Sequence, residues 1–197
     1  MESKARSTDK VSGTIERFSG FGEGAAGGGT FIFEARDKDG NIKWTTEAKN
    51  LTTNAGRQDM NTQYFKGAAY SAGWFIGLVN NTPTPSYAVT DTMASHAGWD
   101  ETTAYDTSNR ATATFGTATT ADPSVISNSV ASGGTVASFA INNTVTIDGA
   151  FLTDTQAKSP GNTGILFSVA AFEVPGDRSV VDGDTLNVTY QFSLTDA

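Results

Sequence analysis

Two stretches near the start of the chain alternate with a period of two. In Thr30-Phe-Ile-Phe-Glu-Ala-Arg36 and in Ile42-Lys-Trp-Thr-Thr-Glu-Ala48, every second side chain falls on one face, the pattern of a half-buried strand. Between them, Asp37-Lys-Asp-Gly-Asn41 offers the Asp-Gly pair that supplies positive φ in a tight turn. The three pieces predict a β-hairpin, and a hairpin commits the chain to an antiparallel sheet.

The rest of the chain extends that commitment. Apolar Gly73-Trp-Phe-Ile-Gly-Leu-Val79 reads as a strand buried on both faces, followed by the proline-containing loop Asn80–Ser86. After Trp99, threonine, serine, alanine and valine dominate, and further strands are expected at 99–105, 110–118, 135–141, 145–152, 163–172 and 184–195. Gly133-Gly134, Asn142-Asn143, Pro160-Gly161 and Pro175-Gly176 mark turns between them. Eight or nine short strands predict an all-β fold, an antiparallel β-sandwich of jelly-roll or immunoglobulin-like connectivity. Two helical pieces interrupt it. Thr53–Phe65 has a cap at Thr53 or Asn54, a stop at Gly67, and Ala55, Met60, Tyr64 and Phe65 near one face; Asp91–His96 is a weaker turn ending at Gly98.

Residues 1–29 differ in texture. Phe18 and Phe21 are their only aromatics, and the run Gly20–Gly29 is mostly glycine, so this stretch reads as an extended, flexible N-terminal arm ahead of a sandwich domain at 30–197. Charge and composition then remove several functions. The 197 residues carry 21 acids against 13 bases, a net charge of −8, which argues against direct nucleic-acid binding because phosphate contact needs a basic surplus. With no cysteine there is no disulfide, thiolate metal site or thiol nucleophile. The charged start MESKARSTDK and the lack of an apolar run near ~18 residues predict neither a signal peptide nor a membrane-spanning helix.

Few residues offer chemistry. Asp37, Asp39 and Asn41 imitate the opening of a calcium loop, but position twelve is Ala48 and the segment lies between strands, so a plain turn is expected. Asp177, Asp182 and Asp184 surround the last turn and could hold a hard cation; the simpler reading is a solvated turn with Arg178 compensating part of the charge. His96 is the only histidine, accompanied by no nucleophile elbow or second metal-ligating histidine, and is expected to stabilise a helix end or bond a carbonyl. Gly20-Phe-Gly22-Glu-Gly24 lacks the lysine and hydroxyl of a phosphate loop. Asp100 and Glu101 are neighbours on a strand and point to opposite faces, so they do not make a glycosidase pair. No catalytic, cofactor or metal residue is predicted, and the chain is not expected to be an enzyme. The aromatics Trp44, Tyr64, Phe65, Tyr70, Trp74, Phe75, Tyr87, Trp99 and Tyr105 concentrate in the middle third, mostly as core fillers; exposed ones would make a protein interface or a sugar platform. Asn50, Asn142 and Asn187 open glycosylation-like triplets that read as polar turn and strand residues.

Phe33–Trp44, Lys49–Gly56, Tyr64–Gly67, Trp74–Leu78, Asp91–Trp99, Ala171-Phe172 and Gly183–Tyr190 together resemble a group of small structural proteins encoded by tailed bacteriophages. The resemblance covers roughly residues 30–197 and consists of turns and aromatics rather than chemical motifs. It implies a virion protein, most like head decoration or cement proteins, with the major capsid protein and neighbouring copies of itself as partners and no membrane contact. A homo-oligomer at the particle surface follows from the same resemblance. A tail or head–tail connection protein is the nearest alternative, and a carbohydrate-binding sandwich using Trp44, Trp74 or Trp99 is the alternative from another class.

Overall fold

The computed structural model describes residues 25–67, 73–158, 163–172 and 176–196. Within them the expected hairpin forms from β1 (Ala25–Arg36) and β2 (Ile42–Lys49), with Phe33 opposite Thr46 and Ala35 opposite Trp44. Gly40 at the turn has φ 86°, the conformation the Asp-Gly pair predicted. Phe31, Phe33 and Ala35 point inward and are buried, whereas Ile32 between them is partly exposed.

The long β1 also pairs along its whole length with β12 (Thr185–Asp196), from Ala25 opposite Asp196 to Arg36 opposite Thr185. This moves the expected boundary of the arm. Residues 25–29 are strand, because β12 is long enough to pair with them through backbone alone and Asn50 completes the arrangement: its Oδ1 accepts from Gly29 N–H at 2.6 Å and its own N–H donates to Gly29 O at 2.8 Å. Phe18, Phe21 and the Gly20–Gly24 run lie outside the described residues, as do Tyr70 and the Pro160-Gly161 turn.

Two antiparallel sheets result. The first runs β2–β1–β12–β7 (Ser124–Ser127), with β8 (Ala137–Ala140) also paired to β12. The second runs β3 (Leu51–Thr52), β10 (Leu166–Ala171), β9 (Val145–Thr153), β4 (Phe75–Asn80) and β5 (Asp100–Thr102), with β6 (Ala111–Thr112) paired to β4 and β11 (Arg178–Val180) to β9. The fold is an all-β sandwich. The twelve strands among the described residues exceed the eight or nine expected because β3, β7 and β11 are only two to four residues long, too short for an alternation to register.

Between the sheets lies the main core, with Phe31, Phe33, Leu186, Val188 and Tyr190 from one side and Ile76, Leu78, Ile147 and Leu152 from the other. A second cluster lies on the opposite face of the second sheet: Val79, Phe151, Leu166 and Val169, covered by Met93 and Trp99 from the loop between β4 and β5. β4 is therefore buried on both faces, as its unbroken apolar run predicted. Gly77 is required there. A Cβ at that position would meet the Phe151 ring at 2.2 Å.

The helix α1 (Asn54–Lys66) begins at Thr53, whose Oγ1 accepts from Gly56 N–H at 3.0 Å, and ends at Gly67 with φ 61°. Of the expected set Met60 packs against the core, joined by the buried Gly56 and by Gln63, whereas Tyr64 and Phe65 are exposed. The second expected helical turn does not form. Thr92 and Ser95 instead exchange backbone hydrogen bonds at 3.0 and 3.1 Å, because Asp91 Oδ2 gathers Ala88 N–H and the Trp99 indole N–H, each at 3.0 Å, and folds the segment into a tight turn. Among the described residues the other helical piece is a single 3₁₀ turn, Val130–Ser132.

Candidate functional site

The residues flagged for chemistry are engaged in structure. Asp37 Oδ1 accepts from the N–H groups of Asp39 and Asn41 at 2.9 and 2.8 Å, and the Asn41 side chain donates to Oδ2 at 3.1 Å. These donors hold the Asp37 carboxyl below the usual carboxylate range, Asn41 contributing most. The hairpin turn uses the oxygens a cation would need.

Asp177, Asp182 and Asp184 do not converge. Asp184 is buried, takes the Lys43 ammonium at 2.5 Å and accepts from Val181 N–H at 2.9 Å, tying the final strand to β2. Asp182 is exposed, Gly183 beside it has φ 87°, and Asp177 accepts from the Asn81 side chain instead. Arg178 bonds the carbonyls of Gly176 and Asp177. Among the described residues no three acids or histidines gather as metal ligands.

His96 donates from Nδ1 to the Thr92 carbonyl at 2.9 Å and stacks on Trp99 at 4.1 Å between ring centroids. The expected carbonyl bond is present, closing a tight turn instead of a helix end. Asp100 and Glu101 part as strand geometry requires, Asp100 into solvent and Glu101 into the interior. There Glu101 meets Arg110 in a two-pronged ion pair, Nε to Oε1 and Nη2 to Oε2 both at 2.8 Å, with the side chains 4% and 1% exposed. Nothing in the spacing of Glu101 and Arg110 announced it.

A second polar cluster was equally hidden. Register slips between Val79 and Asn80 against β9, and the bulge turns the Asp148 carboxylate toward the loop after β4, where Tyr87 O–H donates to it. Desolvation raises the Asp148 pKa against the opposing Tyr87 bond, and the nearby Asp177 carboxyl raises it further. Burial and the Asp148 charge likewise raise the Tyr87 hydroxyl well above its ordinary value. The cluster joins β9, the 80–87 loop and the start of β11.

The aromatics divide into walls and surface. Trp99 is 1% exposed in the second core, and Tyr105 is buried with its ring edge-on to Phe139. Trp44 and Trp74 are half-buried: Trp44 donates to Ser179 O at 3.2 Å with its ring edge-on to Phe172, and Trp74 packs edge-on against Phe167. Tyr64 and Phe65, by contrast, are 83% and 78% exposed and stand at right angles with centroids 5.0 Å apart. They form a knob on the last turn of α1. Of the glycosylation-like asparagines, Asn50 is engaged with Gly29 and with the Tyr190 hydroxyl at 2.8 Å, and Asn187 reaches Glu34 at 3.5 Å.

One apolar pocket of about 240 Å³ opens where α1 covers the end of the sandwich. Met60, Trp74, Phe115, Ile126, Phe167 and Phe192 form most of its wall, while Asp59 and Gln63 supply the polar part. Its residues come from seven separated parts of the chain. No family model matches the sequence, and neither curated proteins nor solved structures provide a match.

Proposed function

We propose that the protein is a structural component of a tailed-bacteriophage particle, a decoration or cement protein that binds and stabilises the head shell through protein contacts. The reading draws first on the resemblance of residues 30–197 to small phage structural proteins. The matching segments occupy the β1–β2 hairpin, the start and end of α1, β4, the Asp91–Trp99 turn and the beginning of β12. The observation that carries it in the structure is the Tyr64–Phe65 knob. Two large adjacent aromatics are 83% and 78% exposed instead of lying in the core of the described residues, and rigid rings of this kind dominate protein interfaces. They favour a protein partner over a glycan, since the tryptophans a sugar platform would use lie against the core. The negative surface suits a coat whose partner is the shell protein and neighbouring copies, not the packaged nucleic acid.

Tyr64→Ser with Phe65→Ser tests this on purified shells. Interface aromatics contribute ~2 kcal/mol each, roughly thirtyfold in affinity, so occupancy is expected to collapse while the melting temperature stays within a few degrees. Full occupancy by the double variant would overturn the assigned contact.

A further inference from the structure

The pocket at the end of the sandwich has an occupant within reach. We propose that it receives an aromatic ring from the segment immediately ahead of β1, the stretch that carries Phe18 and Phe21. The inference is independent of whether the protein coats a particle.

Position comes first. β1 begins at Ala25, opposite Asp196, and Phe192 of the pocket wall faces Gly29 only four residues further along. Four strand residues span ~13 Å, so the chain enters the fold close to the pocket mouth. Phe18 lies seven residues before Ala25, a reach of up to ~23 Å, and Phe21 four residues, up to ~13 Å. Either reach is long enough to place a ring over Leu194 and Phe192. Leu194 on that path is 46% exposed, an apolar side chain otherwise left in water.

Chemistry supports a chain segment over a free hydrocarbon. A cavity of ~150 Å³ lined by apolar side chains takes a benzene ring, so about 240 Å³ accommodates a benzyl group with adjoining backbone. Gln63 adds a polar requirement: its Nε2 donates to Asp59 Oδ1 at 3.1 Å, while its Oε1 is buried without a hydrogen-bond donor. A peptide brings backbone N–H groups along with its ring, and one of them would satisfy that oxygen.

The native chain provides the test. Trypsin should cut after Lys4, Arg6 and Lys10 but spare the Arg17–Phe18 bond, and Ile126→Trp, which fills the pocket from its wall, should make that bond as sensitive as the others. Alongside, ¹⁹F NMR with 4-fluorophenol as probe should show no saturable binding to the native chain and saturable binding to Phe18→Ala with Phe21→Ala. Cleavage after Arg17 as fast as after Lys10 in the native protein would overturn the proposal, as would equal probe binding, or none, in both chains.

Discussion

Replacing Arg110 by methionine removes one half of the most enclosed ion pair among the described residues while preserving much of the side chain's bulk. The guanidinium is 1% exposed, meets both oxygens of Glu101 at 2.8 Å, donates from Nη1 to Thr155 O at 2.8 Å and lies 5.1 Å from the Phe151 ring centroid. Those contacts tie β5, the approach to β6 and the loop after β9 around the second core. Removing Arg110 leaves the Glu101 carboxylate, 4% exposed, without its guanidinium, a loss that costs ~3–5 kcal/mol in such settings. Domains of this size have total stabilities of ~5–15 kcal/mol, and each kcal/mol moves the melting temperature ~2–4 °C. Arg110→Met should therefore lower the melting temperature by ~6–20 °C, read by circular dichroism and by urea unfolding. The double variant Arg110→Met with Glu101→Leu should recover most of the loss, because replacing both charges by apolar groups removes the desolvation penalty along with the attraction. An Arg110→Met loss below ~1 kcal/mol would refute the reasoning, since it would mean that the pair is as well solvated as a surface bridge.

Gly56→Ala should destabilise the fold by ~1–3 kcal/mol even though alanine is the better helix former by ~1 kcal/mol, because its Cβ would lie 2.3 Å from the Phe167 carbonyl; a more stable variant in urea would show that α1 does not dock as described. Asp148→Asn tests the bulge cluster. The folded-state pKa of Asp148 is raised, so its contribution is present below the ordinary carboxylate pKa and lost as pH rises through the folded value. The variant should consequently melt above the native protein at pH 7, with the difference shrinking toward pH 3; a variant less stable at pH 7 contradicts the assignment.

The parts of the fold legible in the sequence were those fixed by neighbours along the chain. The Asp37–Asn41 turn, the Thr53 cap and the Gly67 stop each depend on a few consecutive residues, and each forms as expected. Residues 25–29 read as a linker because glycine has poor strand propensity, yet they pair because β12, more than 150 residues away, offers an open edge. The Asp91–His96 segment looked helical until Asp91 was given the Trp99 indole to bind. Glu101 with Arg110, Asp148 with Tyr87, and the pocket were illegible for one reason: each is assembled by strand pairing and bulges between distant segments, and no spacing in the chain records it. The Tyr64–Phe65 knob was visible as composition but placed on the wrong face, since the helix docks through a glycine whose lack of a side chain carries no hydrophobic signal.

The central claim, that this sandwich is a particle component making protein contacts on a head shell, is tested most directly by a density map of virions purified from cells that produce the chain. The account predicts many symmetry-related copies on the outer surface of the head, with the last turn of α1 against the shell or a neighbouring copy. Finding the chain only in the tail or at the head–tail connection, or finding no copy in the particle, would contradict it.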